Sequence, residues 1–351
     1  MSATALYGHL VNSGAHAGEY CGVVTARDFG DVAAEFAALK SGCGVLDAGW
    51  RSKFVITGND RVRWLNGMVT NNIRDLQVGH GVYCFVLNPQ GRIQGDLYCW
   101  NRGDYLLAET DTSQAQHVYA LLDRYIVMDD VQLSDVSAQL TSIAVIGQES
   151  GEVLKAVGLA EDIAMMQFRD QNWHGIDLTV AHLDAESSPE FEIWIAAEDC
   201  AVLWDALVAA GAQRVGSEAY ELMRIFNGRP RIGVDIRERD LPQETGQQRA
   251  LNFTKGCYVG QEIVERIRSR GLVHRQLTGF VIEGSVPQPG TKFQAGDRNV
   301  AEITSVAALP SGATLALGYA RRDAVAPGAV LELNGTRARV TELPFKEDLH
   351  G

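Results

Sequence analysis

The sequence predicts an α+β protein, a region of mixed sheets and helices followed by a small C-terminal antiparallel β-barrel. Three observations carry this. Helix and strand signals alternate through the first part of the 351-residue chain. A strong hairpin signal spans Val82 to Trp100. From about Gln276, helical periodicity gives way to short β-rich pieces separated by Gly, Pro and Asn turns. A chain of this length exceeds one ordinary core. The change of texture sets the expected domains at 1–272, itself two subdomains with a break near 140–150, and 273–351.

Asp31 to Lys40 reads as a short amphipathic helix, and Lys53 to Thr57 as a strand ending at Gly58. Asn59 is placed to cap a helix with Val62, Leu65 and Met68 on one face. The extended runs Val82–Leu87 and Arg92–Trp100 flank Asn88-Pro89-Gln90-Gly91, which has hairpin-loop chemistry. Residues two apart on a strand share a face, so Asp96, Tyr98 and Trp100 point one way and Leu97 and Cys99 the other. A carboxylate with two aromatics suits a flat polar heterocycle, and equally a half-exposed strand. Ser113 is placed to cap the next helix, strands follow near Val131 and Ile143–Ile146, and Glu161 to Pro189 is too poorly periodic to assign. Phe191 to Ile195 reads as a strand with Glu192 opposite its apolar face. Helices Glu198–Ala210 and Ser217–Phe226 come next, the second stopping at Asn227-Gly228. The barrel strands are expected at Leu277–Ile282, Ala301–Val306, Thr314–Tyr319, Ala329–Leu333 and Ala338–Leu343.

The formal net charge of −13 has the wrong sign for a nucleic-acid binder. One local basic stretch (Arg266, Arg268, Arg270, His274, Arg275) would suit a small polyanion such as a polyglutamate tail, or form a solvated helix face. The first residues lack a secretory pattern, no apolar run approaches membrane-spanning length, and a cytoplasmic protein is expected. Six cysteines are scattered with no C-x-x-C pair. No metal site is therefore expected, and most of these cysteines should be small buried hydrophobes.

The segment Lys255-Gly256-Cys257-Tyr258-Val259-Gly260-Gln261-Glu262 resembles the signature of the YgfZ family of folate-binding proteins, relatives of the glycine-cleavage T-protein. The similarity extends along the chain through Gly44-Val45-Leu46-Asp47, Gly58-Asn59-Asp60, Gly81-Val82-Tyr83, the Asn88–Leu97 hairpin, Phe191-Glu192-Ile193, Leu222-Met223-Arg224 and the Leu343-Pro344-Phe345 ending. The resemblance implies a T-protein-like folate-binding region with tetrahydrofolate, or a one-carbon derivative, as cofactor. It implies a pterin site of Tyr83, Asp96, Tyr98, Trp100, Glu192 and Arg224. Glu192 would accept the ring's paired N–H donors, the aromatics would line the pocket, and Arg224 would hold a carboxylate. Asp96 matches the second Asp of the T-protein's pair, while Gly95 stands where the first would be. A carboxylate there can stabilise positive charge on a one-carbon unit.

Cys257 has no counterpart in the T-protein. It lies just ahead of a helix expected from Gln261 to Ile267, with Lys255 close in sequence, a setting that favours the thiolate. The alternative is a small buried residue in a tight turn. Two functions follow from the resemblance. One is an accessory protein that binds folate and meets iron–sulfur client or assembly proteins through Cys257. The other is an aminomethyltransferase or demethylase using Asp96. A scaffold without folate is the third reading.

Overall fold

The structure, a computed structural model, describes residues 2–185, 187–271 and 273–346. Residues 347–351 of the expected barrel domain, the boundary residue Leu272 and the side chain of Arg270 lie outside the described residues. The fold is α+β, as expected. Contacts divide the chain into two units: residues 1–84 with 96–220, and residues 85–95 with 221–351. The second unit thus holds the barrel together with 221–272 and the tip of the hairpin.

The first unit is organised by two sheets. In the six-stranded sheet, Phe168–Trp173, Ile176–His182, Glu190–Ala196, Leu140–Ile146 and Gly44–Asp47 run antiparallel in that order, and Gln213–Val215 adds to Gly44–Asp47 in parallel. The break expected near 140–150 falls in a central strand, whose neighbours Gly44–Asp47 and Glu190–Ala196 come from either side of it in the sequence. Alternation sorts the side chains of these strands. Ile143, Val145, Phe191, Ile193 and Ile195 join a core with Leu203, Trp204 and Leu207 of the helix Cys200–Ala209. Ser142, Glu192 and Trp194 are left for the opposite face.

The five-stranded sheet has the order Gly81–Leu87, Ile93–Asn101, Leu106–Asp111, Arg51–Thr57, Gln132–Asp135. Its inner residues meet Ser142, Glu192 and Trp194, which closes a buried polar layer between the sheets. An N-terminal hairpin, His16–Tyr20 with Val23–Asp28, and the helix Tyr7–Asn12 complete this unit. Asp31 caps the helix Val32–Ser41 by accepting from the Ala34 amide at 3.0 Å.

Two expected caps are not made. The helix Arg61–Met68 starts after Asp60 without a side-chain cap, because the Asn59 amide donates to Asp130 at 2.7 Å instead. The helix Thr112–Asp123 likewise starts after Asp111, with Ser113 inside it. The strand Ile93–Asn101 is buried from Leu97 to Trp100, which removes the half-exposed reading.

In the second unit, six antiparallel strands form a nearly closed barrel-like sheet. Their order is Lys292–Ala295, Arg298–Ala308, Thr314–Arg321, Arg275–Gly284, Thr336–Thr341, Val330–Leu333. Phe280, Phe293, Ile303 and Val340 fill its core. Lys292–Ala295 was not anticipated. The turn at Gly91 and the start of the helix Gln261–Arg270 approach closely: a Cβ on Gly260 would lie 2.6 Å from the Asn88 carbonyl, and one on Gly91 2.7 Å from Ile263. Gly91 and Gly260 both have positive φ (69° and 82°), so glycine is required twice over. Gly256 takes no such conformation.

Candidate functional site

The polar layer of the first unit follows from strand register. Arg51 faces Asp111, and Lys53 faces Glu109, on adjacent antiparallel strands. Both cations therefore share one sheet face, and both carboxylates answer them. Across the layer, Glu192 arrives from the other sheet. The Lys53 ammonium lies 3.3 Å from Glu109 Oε1 and 3.3 Å from Glu192 Oε1, and it donates to Ser142 Oγ. Lys53 and Glu109 are 0% exposed and Glu192 2%. The Trp194 indole N–H also donates to Glu192 at 3.1 Å. Arg51 reaches Glu109 at 3.2 Å and Asp111 at 2.8 Å.

Two cations thus stand among three carboxyl groups. Burial, then the nearby Glu109 charge, push the Glu192 carboxyl above its usual 4.5 despite Lys53 and Arg51. Burial acts the same way on Glu109, but the Lys53 and Arg51 charges outweigh it and hold that group low. The raised Glu192 and lowered Glu109 values both favour the proton on Glu192, the arrangement in which two cations answer two carboxylates. Glu192 is accordingly no solvated strand carboxylate, and its Oε1 already serves three donors.

Asp96 stands at the edge of this layer, partly exposed. The Tyr83 hydroxyl and the Gln114 amide both donate to its carboxylate, and the Asp96 N–H returns a bond to Gln114 Oε1 at 3.1 Å. Burial and the Asp111 charge raise its pKa, against the lowering effect of Tyr83, Gln114 and Arg51. Tyr83 and Tyr98 meet at 5.0 Å between centroids, Tyr98 stacks with Trp100 at 6.2 Å, and Trp100 meets Trp194 edge-on at 5.2 Å. The Tyr98 hydroxyl donates to Asp184 at 2.8 Å. The Trp100 indole N–H is buried and has no hydrogen-bond partner among the described residues. The structure therefore brings Tyr83, Asp96, Tyr98 and Trp100 into one wall, with Glu192 joined to it through Trp194.

Arg224 belongs to the second unit. Its guanidinium donates to Glu221 through Nε and Nη2, to Asp235 and the Arg229 carbonyl through Nη1, and to Ser305 through Nη2. All five of its N–H groups are engaged. It is buried.

Cys257 is exposed, whereas the other five cysteines are buried, and the reading of Cys257 as a small buried residue fails. The Lys255 ammonium is turned onto the Tyr258 ring, 4.9 Å from its centroid. The helix of Gln261 and Glu262 starts at Gly260, and Glu262 pairs with Arg266 at 2.7 Å. In the basic stretch, Arg268 faces Glu265, and Arg275 binds Asp240 and Glu244, so these charges are largely answered within the unit.

The sequence reading missed Arg51, Lys53, Glu109, Ser142 and Gln114. A signal was present: cations two apart on Arg51–Thr57 and carboxylates two apart on Leu106–Asp111 mark complementary faces of neighbouring strands.

Residues 6–255 match the family described as the GCVT N-terminal domain. An aminomethyltransferase of Rubrobacter xylanophilus is 26% identical over 348 residues, covering 97% of this chain and 93% of its own. Another, of Thermus thermophilus, is 26% identical over 360 residues, covering 98% and 99%. The crystal structure of glycine cleavage system aminomethyltransferase T from Bartonella henselae superposes with a TM-score of 0.88 at 20% identity, over 99% of this chain and 98% of that one. That likeness establishes the fold. Among the described residues, no helix is long and apolar enough to cross a membrane, and no group of His, Cys, Asp and Glu is arranged to hold a metal ion.

Proposed function

Because the chain belongs to the family of the GCVT N-terminal domain, we propose that it binds a tetrahydrofolate and transfers a one-carbon unit, in the manner of the aminomethyltransferases it is similar to. One observation carries the reading. Asp96, a half-buried residue at the edge of an aromatic wall, has its carboxyl fixed on one side by Tyr83 and on the other by Gln114.

The residues present fit such a ligand in part. Tyr83 and Tyr98 border the site, Trp100 backs them as a fully buried ring whose N–H is an unused donor, and Asp96 supplies a carboxyl at their border. Tetrahydrofolate, when bound, supplies the nitrogen nucleophiles that take up a one-carbon unit. Asp96 stabilises positive charge developing on that unit. Its raised pKa brings it closer to holding a proton near neutrality, which suits a group that exchanges one with a nitrogen. Tyr83 and Gln114 fix the carboxyl so that no reorganisation is needed during reaction. Glu192, enclosed, supports the wall from behind through Trp194, and Arg224 braces the second unit; neither is read as a ligand contact. We place the protein in the cytoplasm.

The test is turnover. Wild type should bind 5-formyltetrahydrofolate, read by tryptophan fluorescence, and should form methylene- or methyl-tetrahydrofolate from tetrahydrofolate and a methylated or aminomethyl donor. Asp96→Asn should keep the fold and lose roughly 100-fold or more in rate. Wild-type protein that neither binds nor turns over refutes the reading.

A second reading is favoured by the exposure of Cys257 in the Lys255–Glu262 segment: an accessory role toward iron–sulfur client or assembly proteins. Complementation of a deletion strain decides it. If Cys257→Ala restores iron–sulfur enzyme activities as well as wild type does, this role is excluded.

A further inference from the structure

Arg51 both takes part in the buried charge balance and borders the Asp96 wall. Its Nε and Nη1 are committed to Glu109 and Asp111. Its Nη2 is different: that atom is buried and has no partner among the described residues. An unsatisfied guanidinium nitrogen is costly to bury, and the fold keeps it against the alternative of a shorter side chain. The same guanidinium lies 5.4 Å from the centroid of Tyr98, the ring between Tyr83 and Trp100. Its charge also bears on Asp96. The side chain is 15% exposed, against 0% for Lys53, while Nη2 itself is enclosed, so a ligand meets it through a local movement of the guanidinium. A free, planar donor beside an aromatic face calls for an oxygen acceptor on a flat conjugated ligand.

We propose that Arg51 is a ligand-binding residue whose Nη2 donates to a carbonyl oxygen of the bound heterocycle, and so selects rings that carry an oxo group over rings that carry an amino group in its place. The inference rests on the folate reading above, and it names a residue and a selectivity that reading does not contain. An amino group is itself a donor. Opposite Nη2 it would leave two donors facing each other and no acceptor between them.

Two commercial ligands together with one variant isolate the effect. Folic acid carries the ring carbonyl, whereas aminopterin has an amino group at that position and, with it, a bare nitrogen in place of the adjacent ring N–H; only the part of the preference that Arg51→Lys removes is assigned to Nη2. Binding of each is titrated by tryptophan fluorescence, with 5-formyltetrahydrofolate as the reference ligand. Wild type should prefer folic acid by roughly tenfold or more, the scale of one hydrogen bond to a charged donor. Arg51→Lys keeps a cation for Asp111 and Glu109 but lacks the second Nη, and it should bring the ratio close to one. The ratio is read on folded protein alone, so partial destabilisation of the variant does not blur it. Equal binding of the two ligands by wild type overturns the role of Arg51 and leaves the folate reading standing, as does a ratio unchanged in Arg51→Lys. Wild type that binds none of the three ligands overturns both.

Discussion

Replacing Lys53 with Met tests the polar layer most directly. The ammonium is fully enclosed, 3.3 Å from both Glu109 and Glu192, and it also donates to Ser142 and to the Arg51 carbonyl. Met fills a similar volume, so the cavity cost is small and the effect is electrostatic. Removing one partner of a buried ion pair costs about 3–5 kcal/mol, because the charge left behind is uncompensated. Arg51 remains 3.2 Å from Glu109 and relieves part of this, which sets the expectation at about 3 kcal/mol. Adding Glu109→Gln removes the stranded carboxylate. The double variant should then recover about 1–2 kcal/mol relative to strict additivity. Urea unfolding at pH 7, followed by tryptophan emission, reports on this region because Trp100 and Trp194 flank the layer. A loss below about 1 kcal/mol, or additivity within about 0.5 kcal/mol, would show that the layer is not held by this pair.

Three further outcomes are expected. Glu192 has a raised pKa in the folded protein, so the native state binds a proton that the unfolded chain gives up near 4.5; the associated stability is complete below that pH and is lost as pH rises through the higher native value. Unfolding free energy should therefore fall with pH above 4.5, and Glu192→Gln should flatten that fall in a series of urea titrations; an unchanged slope contradicts the assignment. A thiol-reactive dye should label one cysteine rapidly in the native protein and the other five only after denaturation, and Cys257→Ser should remove the rapid phase. Arg224→Lys, which cannot reproduce five directed donors to Glu221, Asp235, Ser305 and the Arg229 carbonyl, should cost about 3 kcal/mol in a denaturant melt, and a loss within about 0.5 kcal/mol would show the bridge to be dispensable.

The regular elements were legible where periodicity and turn chemistry agreed. The hairpin of Gly81–Leu87 and Ile93–Asn101, the helix Ser217–Phe226 and five of the six barrel strands could all be read this way. The strands Phe168–Trp173 and Ile176–His182 could not. The first is Phe-Arg-Asp-Gln-Asn-Trp, a polar edge strand whose pattern is set by its neighbour rather than by its own apolar residues. Asn59 and Ser113 failed as caps for different reasons: the helix expected after Ser113 begins one residue before it, at Thr112. Asn59 had a better partner across space in Asp130, and no local rule reports one that lies 71 residues away. The wall of Tyr83, Asp96, Tyr98 and Trp100 was accessible because strand alternation alone puts three of its members on one face. The state of Glu192 was not, since it depends on Lys53 and Glu109 arriving from another sheet.

The tightest approach in that wall is between Trp100 and Gly81, where a Cβ would sit 2.2 Å from the indole ring. The two positions are therefore a single choice made twice. Any side chain at 81 takes the volume the indole occupies, and a smaller residue at 100 would leave a hollow that only a larger one at 81 could refill. A library randomised at both positions should return survivors whose summed size is nearly constant, with a large residue at one position always accompanied by a small one at the other.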